Sequence, residues 1–361
     1  MIILSTCSAR PNFVKLAAVH HALKKHPQIK HVIVHTGQHY DPLFSDIFFE
    51  QLAIPLPDIN LGIKGGERMS VIGSTEAAMG PVLKKVKPDL VLVYGDVNGA
   101  VGAALAAKKA GVRIGHVEAG LRSFDESMPE ELNRIEIDRL AEMHFVSEAF
   151  GMQQLVMEKL TDKALLVGNT MIDTLVRMLP LIEEEPLPVG VPKEFIVATI
   201  HRPSNVDTAE MLQMNLKFLS ELGAKCPVVL PLHHRTKAAI KAFGLQSAVG
   251  PGLTIIEPLG YIAFLALVRR ARCILTDSGG IQEEATFLKK KCFTMRRNTE
   301  RPSTIESGSN SLIDPANAAD RAAVLAFASK PSTPMITIPP LWDGHAGERI
   351  VAAILASAPT V

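Results

Sequence analysis

Two carboxylates stand where apolar runs of the chain give out, and a third opens a helical segment. Asp96 follows Leu90-Val91-Leu92-Val93-Tyr94-Gly95, Glu118 follows Ile114-Gly115-His116-Val117, and Glu130 sits in Met128-Pro129-Glu130-Glu131, which opens a helix-period segment. Positioned carboxylates of this kind take a proton from a substrate or return one. Other readings stand beside that one. An acid after Pro129 suits the first turn of a helix, where Arg134 at i+4 would pair with Glu130. Three acids on one edge could also take a divalent cation, but no H-E-x-x-H or other ligand spacing accompanies them. The adjacent His233 and His234 would point to opposite faces of a strand, so they are not expected to chelate one ion together.

Anion chemistry is written in Thr276-Asp277-Ser278-Gly279-Gly280-Ile281-Gln282-Glu283-Glu284-Ala285, a strand end, paired glycines and a helix. Glycines let an anion approach the backbone, and the free N–H groups and dipole of a helix start favour a phosphate there. The competing reading is an ordinary N-cap with glycines serving tight packing. Glu284, one turn on, could accept hydrogen bonds from ribose hydroxyls. Ala9-Arg10-Pro11-Asn12-Phe13-Val14-Lys15 places two cations near another helix start. Cations there oppose the dipole, which points to an anionic ligand or to solvated side chains. Neither G-x-G-x-x-G nor G-x-x-x-x-G-K-[ST] occurs, which argues against a nicotinamide oxidoreductase and a P-loop ATPase.

These residues need elements to hold them. Strand-like runs at 2–5, 32–35, 89–94, 113–117, 143–146 and 165–168 alternate with helical segments at 15–25, 67–86, 100–110 and 130–142. Such alternation means βαβ units on a parallel sheet. The acidic, Pro-rich stretch 183–192 interrupts the pattern and reads as a linker. Alternation resumes with strands at 195–200, 228–232, 253–256, 272–275 and 292–295. The expected fold is α/β, two doubly wound domains. Such sheets bind ligands at the carboxyl ends of their strands, where polar residues recur in both halves, so the site is expected in an interdomain cleft.

Composition bounds the rest. The 361 residues suggest about two domains. Lys+Arg 38 against Asp+Glu 37 leaves +1, which argues against nucleic acid or an anionic membrane as a partner. Aromatics at 5% make a base-stacking surface a poor reading. Cys7, Cys226, Cys273 and Cys292 form no C-x-x-C pair and read as buried thiols rather than a disulfide framework or zinc site. The start lacks the features of a signal peptide, and no apolar stretch reaches the ~20 residues of a membrane span. The expectation is a soluble, reduced, cytoplasmic protein.

Taken together, the chain resembles the non-hydrolysing UDP-N-acetylglucosamine 2-epimerases. The resemblance rests on Arg10-Pro11 with Lys15, Thr36-Gly37-Gln38-His39, Tyr94-Gly95-Asp96, His116-Val117-Glu118-Ala119-Gly120-Leu121-Arg122-Ser123 and Met128-Pro129-Glu130-Glu131. It continues through Gly168-Asn169-Thr170, His201-Arg202, the Asp277 to Ala285 segment and Thr299-Glu300-Arg301-Pro302. It implies two Rossmann-like domains in a glycosyltransferase-B-like pair, 1–182 and 193–342, with a C-terminal helix in 343–361 packing back on the first, and a homodimer. By the same resemblance Asp96, Glu118, Glu130 and His201 are catalytic, with Arg10 and Lys15 binding substrate beside them. Ser278, Gly279, Gly280, Glu284 and Arg301 match the family's uridine-diphosphate contacts, and Phe264 joins them as a substrate contact. No metal or organic cofactor is implied.

What the resemblance implies chemically is inversion at C2 of a UDP-sugar, by elimination of UDP to a 2-acetamidoglucal and re-addition. Asn12 stands where the family commonly has an acid, Cys7-Ser8-Ala9 replaces a Gly-Thr start, and Pro203-Ser204-Asn205 follows His201-Arg202 where many members have Arg/Lys-Glu-Asn. These departures leave open a relative acting on a UDP-diacetamido-uronic acid. A hydrolysing epimerase, a UDP-sugar glycosyltransferase and a non-catalytic nucleotide-sugar sensor are the other readings.

Overall fold

The run Leu90–Tyr94 is apolar throughout and buried at every position, as a strand covered on both faces must be. A computed structural model describes residues 1–37, 48–330 and 335–357. It divides into two units, one of Met1–Met178 with Pro340–Val361 and one of Leu179–Pro339. Gln38 and His39 of the Thr36 motif lie outside the described residues.

The first unit carries β1 (Ile2–Cys7), α1 (Arg10–Leu23), β2 (Lys30–His35), β3 (Ile59–Asn60), α2 (Arg68–Val86), β4 (Leu90–Tyr94), α3 (Asn98–Lys109) and β5 (Arg113–Ala119). Then come α4 (Pro129–Leu140), β6 (Met143–Val146), α5 (Ala149–Met157), β7 (Ala164–Leu166) and α6 (Thr170–Glu184), within which the unit boundary falls. The second unit carries β8 (Ile196–Thr199), α7 (Pro203–Val206), α8 (Ala209–Gly223), β9 (Val228–Pro231), α9 (His234–Ala242), β10 (Leu253–Ile256) and α10 (Tyr261–Arg270). It continues with β11 (Ile274–Thr276), α11 (Gly279–Phe287), β12 (Cys292–Thr294), α12 (Pro302–Glu306), β13 (Asn310–Leu312) and α13 (Ala318–Ser329). Helix α14 (Ala346–Ala356) belongs to the first unit.

Both sheets are parallel, in the orders β3-β2-β1-β4-β5-β6-β7 and β10-β9-β8-β11-β12-β13. Strand order reverses between β1 and β4 in the first and between β8 and β11 in the second. A reversal opens a crevice at the strands' carboxyl ends, because the flanking connections leave on opposite faces. The fold is therefore α/β with two doubly wound sheets. Strand β13 escaped the sequence reading because Asn310-Ser311-Leu312 is short and mixed in polarity. Helix α1 starts at Arg10, earlier than its apolar period suggests, because Asn12 accepts hydrogen bonds from the N–H groups of Ser8 (3.2 Å) and Ala9 (3.0 Å) at its mouth.

The stretch 183–192 is docked on the second unit. Arg270 donates to the carbonyls of Glu185 (2.6 Å) and Glu183 (2.9 Å), and Leu187 and Val191 pack on that unit's core. Helix α14 is held in the first unit by Asp173 of α6, which accepts from the N–H groups of Ala346 (3.0 Å) and Gly347 (2.7 Å). Trp342, the chain's one tryptophan, is buried just before α14 and donates to the Ser147 carbonyl (3.2 Å). Asp173→Ala should therefore cost the first unit about 1–2 kcal/mol, the worth of a lost cap. Urea unfolding followed by Trp342 fluorescence should show a lower midpoint with an unchanged slope; an unchanged midpoint would contradict the docking role.

Candidate functional site

At the first reversal the chain buries an ion pair. Lys15, on α1, reaches the Glu118 carboxylate at the end of β5, and both side chains are nearly withdrawn from solvent. Two backbone features admit that contact. A Cβ on Gly95, which closes β4 with φ +63, would lie 2.8 Å from Lys15 Nζ and 3.1 Å from Glu118 Oε2. Glu118 itself takes φ +74, where the β5–β6 register slips between Val117 and Ala119. A left-handed non-glycine residue at a bulge is a costly conformation that re-aims its side chain. Asn12 ties α1 to the same turn, donating to the Tyr94 carbonyl (2.8 Å). Arg10 is exposed, its guanidinium 5.5 Å from the centre of the Phe48 ring.

Asp96 follows directly and accepts from Arg134 of α4. Arg134 is the bulkiest fully buried side chain among the described residues. Its other face is fixed by Glu131 (2.7 Å from Nη2). Glu131 also accepts from the N–H groups of Ser123 and Phe124 (2.9 Å each). Burial would raise the Glu131 carboxyl, but these hydrogen bonds and Arg134 hold it below the usual range. The expected pairing of Arg134 with Glu130 is not made: Arg134 lies on the buried face of α4, whereas Glu130 is exposed in its first turn. Glu131 and Arg134 were missed as site supports, and their i,i+3 spacing was the signal.

At the second reversal Asp277 directly follows β11. Its carboxylate accepts from the N–H groups of His201 and Arg202 (2.8 Å each) and from Asn205 Nδ2 (3.0 Å), with His201 Nδ1 at 3.0 Å. Burial alone would raise this acid; the donors around it, His201 foremost, hold it at about 2. Ser278 then caps α11 through its backbone, so Gly279 and Gly280 present their N–H groups at a helix start. A Cβ on Gly279 would lie 2.5 Å from Arg301 Nη1. Arg301 is buried against that start and committed to two carboxylates, Glu283 (3.0 Å) and Glu300. Phe264 is half-buried on α10, packed against the same small core as Ile281. His233 and His234 are not strand residues as expected: β9 ends at Pro231, His233 caps α9, and their rings lie 3.9 Å apart. Among the described residues no group of three or more His, Cys, Asp or Glu is placed to hold a metal ion. No described helix is long and apolar enough to cross a membrane, and all four cysteines are buried and unpaired.

Glu284 shows the opposite electrostatics to Asp277. It is buried in α11; burial and the adjacent Glu283 push its carboxyl up to about 8, against a hydrogen bond from Tyr261. The unfolded chain loses this proton near pH 4.3, roughly the free value, so the folded protein retains a proton the unfolded one has released. The stability this confers is complete below that pH and is lost as pH rises through about 8. Glu284→Gln cannot titrate. Its stability relative to the parent should climb between pH 5 and 8, by at most about 1.4 kcal/mol per pH unit, and level off above. Urea midpoints at pH 5, 7 and 9 check this; parallel pH curves for the two proteins would contradict it.

The family model described as UDP-N-acetylglucosamine 2-epimerase matches residues 21–355. The chain is 41% identical to the UDP-2,3-diacetamido-2,3-dideoxy-D-glucuronate 2-epimerase of Pseudomonas aeruginosa over 87% of this chain and 88% of that one. It is 38% identical to the UDP-N-acetylglucosamine 2-epimerase of Methanocaldococcus jannaschii over 97% of each. The crystal structure of a Methanocaldococcus jannaschii UDP-GlcNAc 2-epimerase in complex with UDP-GlcNAc and UDP superposes with a TM-score of 0.92 at 36% identity, covering 99% of this chain and 100% of that one. The chain belongs to the non-hydrolysing UDP-N-acetylglucosamine 2-epimerase family, and it is an isomerase of that family.

Proposed function

We propose that the protein interconverts UDP-N-acetylglucosamine and UDP-N-acetylmannosamine by eliminating UDP and adding it back. The observation that carries this reading is the Glu118 carboxylate, held in a left-handed bulge and paired with buried Lys15 behind Gly95. Strain of this kind concentrates at functional sites. The substrate and product are isomers, so the reaction needs no external oxidant. The C2 hydrogen has no carbonyl beside it, and only departure of the diphosphate from C1 makes it acidic. In the forward step the C1–O bond breaks with its electrons to UDP, the C2 proton passes to a carboxylate, and a C1=C2 double bond forms. In the return a proton reaches C2 on the other face and a diphosphate oxygen adds to C1.

The residues divide accordingly. Asp96, Glu118 and Glu130 are the proton-transfer groups, and Arg134 fixes the orientation of Asp96. The N–H groups at Ser278, Gly279 and Gly280, with Arg10 and His201, bind the diphosphate as its charge develops, in the manner of preorganised donors. Arg301 acts through the helix start it touches, since both of its sides are occupied by carboxylates. Glu284 and Phe264 complete the nucleotide and substrate contacts. A second reading, a UDP-diacetamido-uronic acid as the sugar, is favoured by the 41% identity to an enzyme of that name.

Proton NMR of the enzyme with UDP-N-acetylglucosamine alone in deuterated water decides among these. The expected product is UDP-N-acetylmannosamine carrying deuterium at C2. Free N-acetylmannosamine with UDP would mark a hydrolysing enzyme, and turnover of the diacetamido-uronate alone would establish the second reading. Glu118→Gln, close to isosteric, should lower turnover by about 10²–10⁴-fold while UDP affinity by calorimetry stays within about threefold. Epimerisation at the parent rate would remove Glu118 from the chemistry.

A further inference from the structure

Behind the acids at the first strand reversal lies a carboxylate the mechanism has not used. Asp138, on the inner face of α4, is fully buried. Its Oδ1 lies 2.6 Å from His116 Nδ1, and the opposite ring nitrogen, Nε2, lies 2.9 Å from the Gly95 carbonyl oxygen. Its Oδ2 accepts from the Gly120 N–H at 3.1 Å and from Arg122 Nη1 at 2.7 Å. Gly95 immediately precedes Asp96, and Gly120 lies two residues after Glu118. One carboxylate thus holds the two turns that carry the candidate proton-transfer acids, one through an imidazole and one directly.

The arrangement does more than satisfy a buried charge. Glu118 and Gly120 both take positive φ, +74 and +81, so the chain bends on either side of Ala119, the last β5 residue in register with β6. The Gly120 N–H points to Asp138 instead of to a neighbouring strand, and that bond fixes the turn. Arg122 balances the charge and is itself anchored by a two-pronged contact with Glu158 (2.8 Å on each oxygen). Burial would raise the Asp138 carboxyl, but His116 and Arg122 keep it lowered.

We propose that Asp138 is a positioning residue for the epimerisation, setting the placement of the Asp96 turn relative to the Glu118 turn through its contacts with His116 and Gly120. The proposal rests on the reading of Asp96 and Glu118 as proton-transfer groups. Inversion has a feature that exposes such a role. The eliminated intermediate returns to substrate by taking its proton back on the first face, goes on to the epimer by taking one on the second, or escapes, so misplacement of the second acid relative to the first raises the leak of free UDP and glycal per epimer formed. A fold that is merely weakened lowers every activity by the same factor and leaves that ratio alone.

The test compares Asp138→Asn with the parent enzyme. An amide keeps one acceptor oxygen for the three donors that face this side chain, so at least one contact is lost at nearly constant volume. The expected result is a fall in kcat of about 10²-fold, the scale of a misplacement near 1 Å, with UDP affinity within about twofold and the leak ratio raised at least about fivefold. His116→Asn, which cannot span from Asp138 to Gly95, should shift the ratio in the same direction and serves if Asp138→Asn does not fold. Unchanged kcat and leak ratio, or losses in strict proportion to the folded fraction, would overturn the proposal. Asp96→Asn and Glu118→Gln are measured alongside. If both epimerise at the parent rate, the catalytic reading fails and this one with it; if both are inactive while the Asp138 and His116 variants behave as the parent, only the positioning role falls.

Discussion

A lysine and a glutamate drawn out of water together set the terms for the first unit. Desolvating each ion costs several kcal/mol, and their attraction offsets that only at close approach with the remaining hydrogen-bonding capacity met. Close approach between a residue on α1 and one at the end of β5 has to cross β4, which lies between β1 and β5 in the sheet. Gly95 makes the crossing possible, because any Cβ there would occupy the contact. Glu118 reaches it only by leaving the strand conformation. The pair therefore constrains a helix start, a strand end and a bulge at once, and these segments also carry Arg10, Asp96 and Glu118.

The second unit solves a different problem, that of keeping uncompensated negative charge away from the start of α11. Glu283, Arg301, Glu300 and Arg296 alternate in sign through contacts of 3.0 Å between Glu283 and Arg301 and 2.8 Å between Arg296 and Glu300. The run is neutral as a whole. Asp277 is ionised, but its charge is absorbed by the donors of His201, Arg202 and Asn205 on the β8 side. Glu284 would be the remaining anion in the second turn of α11, and burial keeps it protonated until about pH 8. At neutral pH the local field at Gly279 and Gly280 is then that of the helix dipole, which favours phosphate.

Much of this was legible in the residues, and what was not has physical causes. The βαβ alternation showed through because buried parallel strands must be apolar at consecutive positions, as in β4 and β9, whereas β3 and β13 are too short to carry a pattern. The Gly279-Gly280 turn was visible as paired glycines between a strand end and a helix, and a Cβ on Gly279 would meet the end of the Arg301 side chain. Asp96 and Glu118 stood out as charges where hydrophobic runs end. Their partners did not, because a buried ion pair is a long-range fact: Lys15 and Glu118 are 103 residues apart, and Arg134 and Asp96 are 38 apart. The reading of Glu130 with Arg134 failed for a related reason. Helical spacing supplies two candidate partners for Arg134, and only tertiary burial decides between i+3 and i+4.

On the proposed mechanism the intermediate has lost its covalent link to the nucleotide, so the return step is a recombination. Whatever holds the two fragments must do so without help from the bond that joined them. Backbone N–H groups at a helix start meet this requirement, since they bind a diphosphate whether or not a sugar is attached. Carboxylates braced by buried partners would meet it for the sugar, because Asp96 and Glu118 take their places from Arg134, Lys15 and the turns beneath them. Fixed donors and acids of this kind need no reorganisation when charge moves from C1 to the leaving oxygen and back. An enzyme that only had to expel UDP could rely on strain in the bound substrate. One that must also recapture it has to keep the same geometry after that strain is gone, and rigid, internally paired charge is the means the fold provides.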